Sequence, residues 1–480
     1  MRFFARLLPM ERAAFAAMGV LALALAGVVF AGDRAQPRLL AFSWADQRVG
    51  RGDDSFTLTF DQPMAWETVV AGLEIDPPLP GKISWAGRTL AYTLTDLPAY
   101  GTDYTLRLEA AEAPPRSPQQ SARLLPPQEM SFTTRDLTFA YLGLEGEAAG
   151  RLILRNETRD QTIELTPGDL VVTNFEPYAS GDHILFSAYE RHQGQGVAEQ
   201  QLYTVSTGLG RGSQRERPGR IERLLAADEY QNLNFDLAAQ GEIALVQRVN
   251  RRNRAEASLW VLPPTGEPRS LGVQSNRFKL TPTGDAVAIA QEQGVALVPL
   301  LQSAGTWQFF PGYQAVLAFS RQDTRTKVMV RDNRDRTQSL YLLQGNGRAT
   351  ELMQTQGRFL DCAFEPRRET YLYCLHTEPP ESEASGDSHF LSLVEVAGAE
   401  SVPLIALTDD PNVRMSLSPD GRALLFDQVL RSEPASELAD PEILGTIWSL
   451  KLPDLSGPRA YVNFQPPREV GAGVDPRWLP

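Results

Sequence analysis

The chain has 480 residues, of which 42% are hydrophobic and 22% are charged, and its 59 acidic and 46 basic side chains give a formal net charge of −13. This composition is too apolar for a disordered chain, and the length exceeds that of one ordinary compact core, so we expect at least two domains. The 37 Gly and 35 Pro favour many turns over long helices and therefore an all-β fold. The acidic balance argues against a broad nucleic-acid-binding surface, which needs a surplus of Lys and Arg.

The N-terminal segment contains an apolar run that predicts export. Residues 13–32 are twenty successive uncharged residues, about the number that a helix needs to cross a bilayer. Three arginines and only one glutamate precede the run, which favours a cytoplasmic position for residues 1–12 and an extracytoplasmic position for the rest. An uncleaved inner-membrane anchor is one interpretation. The alternative is a signal peptide cleaved after Ala31, with a secreted or periplasmic product, although the bulkier Val29 fits a cleavage site less well.

The two cysteines of the sequence, Cys362 and Cys374, suit an oxidising compartment in which such a pair can form a disulfide. They lie in the segment LDCAFEPRRETYLYC, where a strand, a turn and a second strand would let them face each other across a hairpin. Two free, buried thiols on neighbouring strands are the alternative. There is no further Cys, and the four His show no metal-ligand spacing, so we expect neither a metal site nor a cofactor.

The region 38–135 predicts the first folded domain. Short runs alternate apolar and polar residues, as half-buried strands do, and turn residues separate them. About a hundred residues of this kind indicate a β-sandwich. We expect strands at 56–60, 81–85, 90–94 and 103–108.

The same region resembles the bacterial Ig-like domain of the SbsA type. The resemblance covers the whole domain and rests on Phe60-Asp61-Gln62-Pro63-Met64, Gly101-Thr102-Asp103-Tyr104 and Phe132-Thr133-Thr134. It implies an Ig-like sandwich, a spacer or adhesion role and no catalytic residues. A Pro- and Gln-rich stretch at 113–128 stands where the family often has an Asp-Gly turn.

A repeated hairpin follows in the region 137–480. Its clearest copy is 414–426, an apolar strand, a Ser-Pro-Asp-Gly turn and a second strand, in which Asp420 is interpreted as a turn residue. A second hairpin follows most copies, and four short strands per repeat are typical of β-propeller blades. The weaker copies lie at 175–186, 233–246, 278–289, 313–330 and 359–375.

The repeats resemble those of TolB-like β-propellers, most closely at 414–426 and 278–289. Residues 137–165 lack an opening strand, and residues 474–480 look like an opening strand with nothing after it. The two fragments should therefore complete one blade and remove a free sheet edge. Six full copies and the shared one predict seven blades, with six or eight as alternatives.

No catalytic motif accompanies the repeats, although propellers of this type also precede a hydrolase domain in relatives of prolyl oligopeptidase. The sequence contains no Gly-x-Ser-x-Gly elbow, no His-Glu-x-x-His motif and no Walker loop. We therefore expect a protein that is not an enzyme.

Arginines cluster in two predicted loops and are candidate contacts for anionic head groups, acidic glycan or a partner protein. The first loop joins the third and fourth strands of a blade and the second joins the second and third, so we expect them on opposite faces of the disc. Solvated loops without a ligand are the alternative. The first cluster is Arg211, Arg215, Arg217, Arg220 and Arg223, and the second is Arg248, Arg251, Arg252 and Arg254.

The sequence thus predicts a membrane-tethered, extracytoplasmic and noncatalytic scaffold of the bacterial envelope, which binds an envelope protein or a glycan and no nucleic acid. An enzyme that acts on a cell-wall or surface glycan at the propeller channel is the alternative. Two or more carboxylates or a His within hydrogen-bond reach inside the channel would favour the enzyme. An uncharged or filled channel would favour the scaffold.

Overall fold

The computed structural model describes residues 14, 16–23, 36–115, 121–192, 196–210, 216–300, 306–379, 388–407, 413–431, 443–453 and 465–480. Contacts within the chain divide it into two compact units. The first comprises Met1–Val49, Asp53–Asp96 and Asp103–Thr133, and the second comprises Gly50–Gly52, Leu97–Thr102 and Thr134–Pro480.

The predicted membrane segment lies mostly outside the described residues. Within residues 13–32, the structure describes residues 14 and 16–23, which are helical. No helix in the described part of the chain has the length and apolar character needed to span a bilayer. The anchor and the signal peptide stay predictions.

The first unit is a β-sandwich of two four-stranded antiparallel sheets. Alternate residues of its strands face a shared core, as Phe56, Leu58 and Phe60 do, because side chains along a strand point to opposite faces. One sheet has the order β1 (Leu39–Phe42), β3 (Ser55–Phe60), β6 (Thr89–Leu94) and β5 (Gly81–Ala86), and the other has the order β2 (Arg48–Val49), β10 (Gln128–Thr134), β7 (Asp103–Leu108) and β4 (Leu73–Asp76).

Three shorter elements complete the described part of the sandwich unit. They are helix α1 (Trp66–Gly72) and the paired strands β8 (Glu112–Ala113) and β9 (Arg123–Leu124). The four strands expected from the sequence are found as β3, β5, β6 and β7, each within one residue of its predicted bounds.

The second unit contains seven four-stranded antiparallel sheets in its described residues, and we number them as blades along the chain. Blade 1 consists of β11 (Thr138–Leu142), β12 (Leu152–Asn156), β13 (Gln161–Glu164) and the last strand, β38 (Val474–Trp478). Blade 2 consists of β14 (Leu170–Pro177), β15 (His183–Glu190), β16 (Gln201–Ser206) and β17 (Ile221–Leu225). Blade 3 consists of β18 (Tyr230–Leu237), β19 (Ala244–Asn250), β20 (Ala257–Leu262) and β21 (Arg269–Ser270).

The remaining four blades repeat this meander of four consecutive strands. Blade 4 consists of β22 (Phe278–Leu280), β23 (Ala286–Gln291), β24 (Gly294–Pro299) and β25 (Gln308–Pro311). Blade 5 consists of β26 (Ala315–Phe319), β27 (Lys327–Asp332), β28 (Gln338–Leu343) and β29 (Ala349–Thr355). Blade 6 consists of β30 (Phe359–Phe364), β31 (Tyr371–Glu378), β32 (Ser388–Glu395) and β33 (Ser401–Leu407), and blade 7 of β34 (Met415–Leu417), β35 (Ala423–Arg431), β36 (Ile443–Lys451) and β37 (Arg468–Ala472).

The last strand closes the array into a propeller. β38 pairs antiparallel with β11, so that Trp478 lies opposite Phe139 and Arg477 lies opposite Ala140. β38 also contacts β14 of blade 2 and β34 and β35 of blade 7. Blade 1 therefore lies between blades 2 and 7, and the prediction that the tail completes the first blade is confirmed.

The turn residues of the inner hairpins stabilise the chain reversal between their two strands. In the turn between β34 and β35, the Ser418 hydroxyl and the Arg422 backbone N–H donate to Asp420 Oδ1 at 2.6 and 3.1 Å. Gly421 has a φ of +69°, a left-handed conformation that side chains with a Cβ rarely adopt. Asp420 thus has the predicted role of a turn residue.

Candidate functional site

A cavity of about 1000 Å³ lies where the innermost strands of the propeller meet. Six of these strands, β38, β14, β18, β22, β26 and β30, contribute lining residues, and Arg414 directly precedes the seventh, β34. Further lining comes from the loop between β27 and β28. We call this cavity the central channel. Its lining is rich in charged and amide side chains, so the channel meets neither of the two conditions given above as favouring the scaffold.

Two innermost strands share the pattern Asn, Phe and an acidic residue where they line the channel. Asn174-Phe175-Glu176 lies in β14 and Asn234-Phe235-Asp236 lies in β18. The Phe side chains are buried in the packing between blades, and the flanking amide and carboxylate side chains line the channel. This division follows from the period of two along a strand.

Arg477 of β38 is the centre of an ion-pair network in the channel. Its guanidinium donates to Glu176, and its Nε donates to Asp475 Oδ1 at 3.1 Å. The group also lies over the Phe175 ring at 5.4 Å. Burial alone would lower the pKa of Arg477, but the carboxylates of Asp475 and Glu176 raise it above its ordinary value. The strand that closes the ring therefore also neutralises two carboxylates in the channel.

Asp236 is a channel carboxylate that lacks an ion pair within the described residues. Its oxygens accept the backbone N–H groups of Leu280 at 2.6 Å and Leu237 at 3.1 Å. Burial and the nearby Glu176 carboxylate raise the pKa of Asp236 to about 6, although Lys279 and the two N–H donors oppose the rise. The group therefore exchanges its proton near neutral pH.

Asp361 occupies a similar position in β30. Its Oδ1 accepts the backbone N–H of Cys362 at 2.9 Å. Burial raises its pKa, and the positive charges of Lys279, Arg414 and Arg477 oppose the rise. Asp361 and Asp236 thus share Lys279 as a neighbouring charge. We call Glu176, Asp236, Asp361 and Asp475 the channel floor.

Four arginines line the same cavity at more exposed positions. Arg277, Arg358 and Arg414 precede the innermost strands β22, β30 and β34, and Arg336 lies in the loop between β27 and β28. All four side chains are exposed, and none forms an ion pair or a side-chain hydrogen bond with another described residue. We call these four arginines the channel mouth. Sequence reasoning missed them because they are scattered over 138 positions.

His376, Ser392 and Glu378 are arranged like a Ser-His-acid triad, but His376 and Ser392 are shielded from solvent. His376 Nε2 lies 2.9 Å from the Ser392 hydroxyl, and His376 Nδ1 lies 3.7 Å from Glu378 Oε1. Burial lowers the pKa of His376, and Glu378 opposes the shift. Ser392 is only 1% exposed and His376 4%, so a substrate cannot reach the hydroxyl. Both residues lie inside blade 6, shielded from solvent.

A second, smaller cavity of about 520 Å³ lies between blades 2 and 3. Tyr178, His183 and Glu242 contribute to its lining, together with several Leu and Pro side chains. Burial, with Glu242 and Asp182 nearby, raises the pKa of Tyr178 to about 12. This cavity holds fewer charged side chains than the central channel and has no Lys or Arg among its described lining residues.

The first predicted arginine cluster lies partly outside the described residues, because Arg211 and Arg215 do. Arg217 and Arg220 are exposed in the loop between β16 and β17, and Arg223 is exposed in β17. Arg220 donates to Glu216 at 3.0 Å and Arg223 to Gln201 at 3.2 Å. These contacts are those of a solvated surface, and a role in anion contact stays a prediction.

The second predicted cluster is not a common surface. Arg248 lies in β19, where its guanidinium packs over the rings of Tyr230 and Trp260 at 4.5 and 4.9 Å and donates to Asn232 at 3.1 Å. Arg251 donates to both carboxylate oxygens of Glu199 at 3.0 and 2.9 Å. Both guanidinium groups thus have internal partners, and a role of Arg248 and Arg251 in anion or partner contact stays a prediction. Two members of the cluster remain exposed, Arg252 and Arg254.

Cys362 and Cys374 are bonded to each other in the structure. They lie directly opposite each other on β30 and β31, with a Cα–Cα distance of 4.2 Å. The alternative of two free thiols therefore does not describe the structure. In the described residues no group of His, Cys, Asp and Glu side chains has the arrangement of a metal site.

No family model matches this chain, and no curated protein matches it. Similar solved structures include TolB-like β-propeller proteins. TolB from Acinetobacter baumannii is 10% identical, with a TM-score of 0.40 over 86% of this chain and 84% of that chain. An oligogalacturonate lyase from Vibrio parahaemolyticus is 11% identical, with a TM-score of 0.44 over 66% of this chain and 92% of that chain.

A third similar structure is prolyl oligopeptidase B from Galerina marginata, which is 10% identical, with a TM-score of 0.44 over 67% of this chain and 48% of that chain. Similarity at this level carries no functional argument. The propeller fold of this chain rests on its own sheet order and ring closure. The SbsA-type resemblance of the first unit stays a prediction.

Proposed function

We propose that this chain is a noncatalytic binding protein of the bacterial envelope whose ligand enters the central channel. The observation that carries the proposal is the cavity of about 1000 Å³ with its charged lining, at the centre of a closed ring of blades. Concave sites with a few converging polar groups are the usual binding sites of proteins. A propeller holds such a site rigidly, because its lining residues lie on strands rather than on long loops.

The partners of the floor carboxylates support binding over catalysis. Glu176 and Asp475 are held by Arg477, and Asp236 accepts two backbone N–H groups. A nucleophile or general base needs an activating partner and access to substrate. The described lining residues of the channel include no Ser, Cys, His or Tyr.

An enzyme acting on glycan is the second candidate, and one observation favours it. Asp236 has a pKa of about 6 and lies close enough to Glu176 for the two carboxylates to interact. A carboxyl group with a raised pKa beside a second carboxyl group is the arrangement that glycoside hydrolases use as acid and base or nucleophile. A turnover assay with the variant Asp236→Asn separates the two candidates.

The proposed location is the extracytoplasmic side of the inner membrane. The uncharged run at 13–32 supports it, with release after cleavage as the alternative. The disulfide between Cys362 and Cys374 fits an oxidising compartment. We further propose that the sandwich unit is an SbsA-type Ig-like spacer that links the propeller to the membrane.

Site-directed photocrosslinking in native membranes tests the proposed function. A photoreactive phenylalanine analogue at Leu360, which lines the channel and is 36% exposed, should capture one stoichiometric partner. The same analogue at Phe309, which is 50% exposed on the outer strand of blade 4, is the control and should capture none. Capture at Phe309 alone would place the binding surface elsewhere. No capture, combined with turnover of a cell-wall sugar that Asp236→Asn abolishes, would establish the enzyme instead.

A further inference from the structure

The channel mouth brings four positive charges together without a compensating carboxylate in ion-pair contact. Arg277, Arg336, Arg358 and Arg414 line one cavity, and the described residues supply none of them with an ion-pair partner. Asp332 lines the same cavity, and its Oδ1 accepts a hydrogen bond from the side-chain amide of Gln338 at 2.8 Å. Like charges around one opening repel each other, and Arg414 is in addition attracted to the floor carboxylate Asp361.

What distinguishes these arginines is that they line one cavity, since other exposed arginines such as Arg252 and Arg254 also form no ion pair. Acidic residues outnumber basic ones by 59 to 46, so carboxylates are abundant. Some arginines use them, as Arg477 pairs with Glu176 and Arg251 with Glu199. Proteins tolerate unfavourable local charge mainly where function requires it. Four guanidinium groups facing one cavity are suited to carboxylate and phosphate groups, which they bind with paired hydrogen bonds.

We propose that the channel mouth binds a small molecule that carries two or more carboxylate or phosphate groups. This inference rests on the proposed function and names the ligand class of that site. The anionic groups of the ligand contact the arginines of the mouth. Its remaining part points toward the channel floor, where four carboxylates favour a hydroxyl or amine over a further anion.

The size and lining of the channel favour a small ligand over a polymer. A volume of about 1000 Å³ is at the upper end of ordinary small-molecule sites. Sugar chains commonly stack on exposed aromatic rings. The described lining contains no Trp or Tyr, and of its three Phe side chains Phe235 and Phe359 are buried and Phe278 is partly buried.

Titration calorimetry of the full chain at low ionic strength tests the proposal with two probes, citrate and pyrophosphate. We expect saturable binding of at least one probe and at least about tenfold weaker binding in the double variant Arg277→Gln with Arg358→Gln, since each lost guanidinium removes charge-assisted hydrogen bonds. The matched control removes the same charge from exposed arginines outside the channel, as Arg252→Gln with Arg254→Gln, and should bind like the parent protein. Added NaCl should weaken binding, because salt screens exposed charges.

The unfolding temperature of each variant without probe shows whether weaker binding results from a folding defect. The mouth double variant should unfold at the same temperature as the parent protein or higher, because it loses repulsion and no internal partner. Absence of saturable binding, or equal weakening in the control, would overturn the proposal. If an octaglutamate peptide or polygalacturonate bound more tightly than either probe, the proposal that the ligand is a small molecule would be wrong. Crosslinking at Leu360 without binding of either probe would refute the ligand class and leave the proposed function standing.

Discussion

Asp236 shows how a single carboxylate makes the channel sensitive to pH. Its pKa of about 6 in the folded protein exceeds the ordinary value of 3.8. The folded state therefore holds this proton more tightly than the unfolded state does. The stability that the group contributes is complete below pH 4 and is lost as the pH rises through about 6. Above that range, the ionised carboxylate destabilises the fold.

We predict that Asp236→Asn stabilises the protein at pH 8 by about 1 to 2 kcal/mol and does not stabilise it at pH 4, where only the cost of the lost hydrogen bond, about 1 kcal/mol, remains. A pKa difference of one unit corresponds to about 1.4 kcal/mol, and the loss of one of two backbone hydrogen bonds offsets about 1 kcal/mol. Urea unfolding at both pH values measures the effect. The control is Glu292→Gln, an exposed carboxylate on the turn between β23 and β24, which should shift neither value. Equal stabilisation at both pH values would contradict the prediction.

Arg477 is the residue whose removal should harm the channel most. Its side chain is 23% exposed, and those of its partners Glu176 and Asp475 are 28% and 15% exposed. Because Arg477→Gln leaves two partly buried carboxylates without their counter-charge, we expect a loss of about 2 to 4 kcal/mol of unfolding free energy. Adding Glu176→Gln should recover part of this loss, and a double-mutant cycle by urea unfolding measures the coupling. Strictly additive effects would show that the ion pair contributes no stability.

The contacts of the arginine side chains could not be predicted from the sequence. A sequence shows that Arg248 follows a run of apolar strand residues, but not which neighbouring ring covers it. The structure packs it between Tyr230 and Trp260, and burial lowers its pKa. The four arginines of the mouth are far apart in sequence, and only ring closure brings them to one cavity. Neither the ring packing of Arg248 nor the convergence of the four arginines leaves a pattern in the local sequence.

At the scale of strands and hairpins, the sequence predicted most of the propeller. Turn residues such as Ser418 to Gly421 fix the inner hairpins locally, so their repetition is visible without any knowledge of packing. The channel was not visible, because a polar residue on an inner strand resembles one on an outer strand. One signal was available, since Asn-Phe followed by an acidic residue occurs at both 174–176 and 234–236.

The disulfide is a constraint within a single hairpin. Cys362 and Cys374 are 3% and 0% exposed, and 12 positions separate them in the chain. Closing a loop of this length restricts the unfolded chain, and we predict that Cys362→Ala with Cys374→Ala lowers the unfolding free energy by about 2 to 3 kcal/mol. Urea unfolding of the oxidised parent protein and the double variant measures the difference. Unchanged stability would show that strand pairing alone fixes this hairpin.

The closing strand depends on one large side chain. Trp478 is 8% exposed and packs edge-on against Phe139 at a centroid distance of 5.4 Å. We predict that Trp478→Ala costs about 3 to 5 kcal/mol, because the cavity left in this cluster cannot collapse fully. Trp307, which is 61% exposed, is the matched control, and Trp307→Ala should change stability by less than about 0.5 kcal/mol. Similar losses in both variants would show that closure does not depend on this contact.

For the whole molecule, ring closure connects the two ends of the propeller sequence to the channel. β38 contacts β14, β34 and β35 in addition to its partner β11, and it supplies Asp475 and Arg477 to the channel. Its loss would therefore open the ring, expose the edge of β11 and unbalance the channel charges at once.

We predict that a chain ending at Ala472 loses protection from hydrogen exchange unevenly around the ring. The amides of β11, β14 and β34 should exchange fastest, because they lie at the opened junction, while blade 4, on the far side, should retain most of its protection. Mass-spectrometric exchange of the full and shortened chains, analysed blade by blade, measures the gradient. Sheets in a propeller contact mainly their neighbours, so a break should weaken the array progressively from the junction. Loss confined to β11 would mean that blade 1 is dispensable for the ring, and uniform loss would mean that the seven blades fold only as a single cooperative unit.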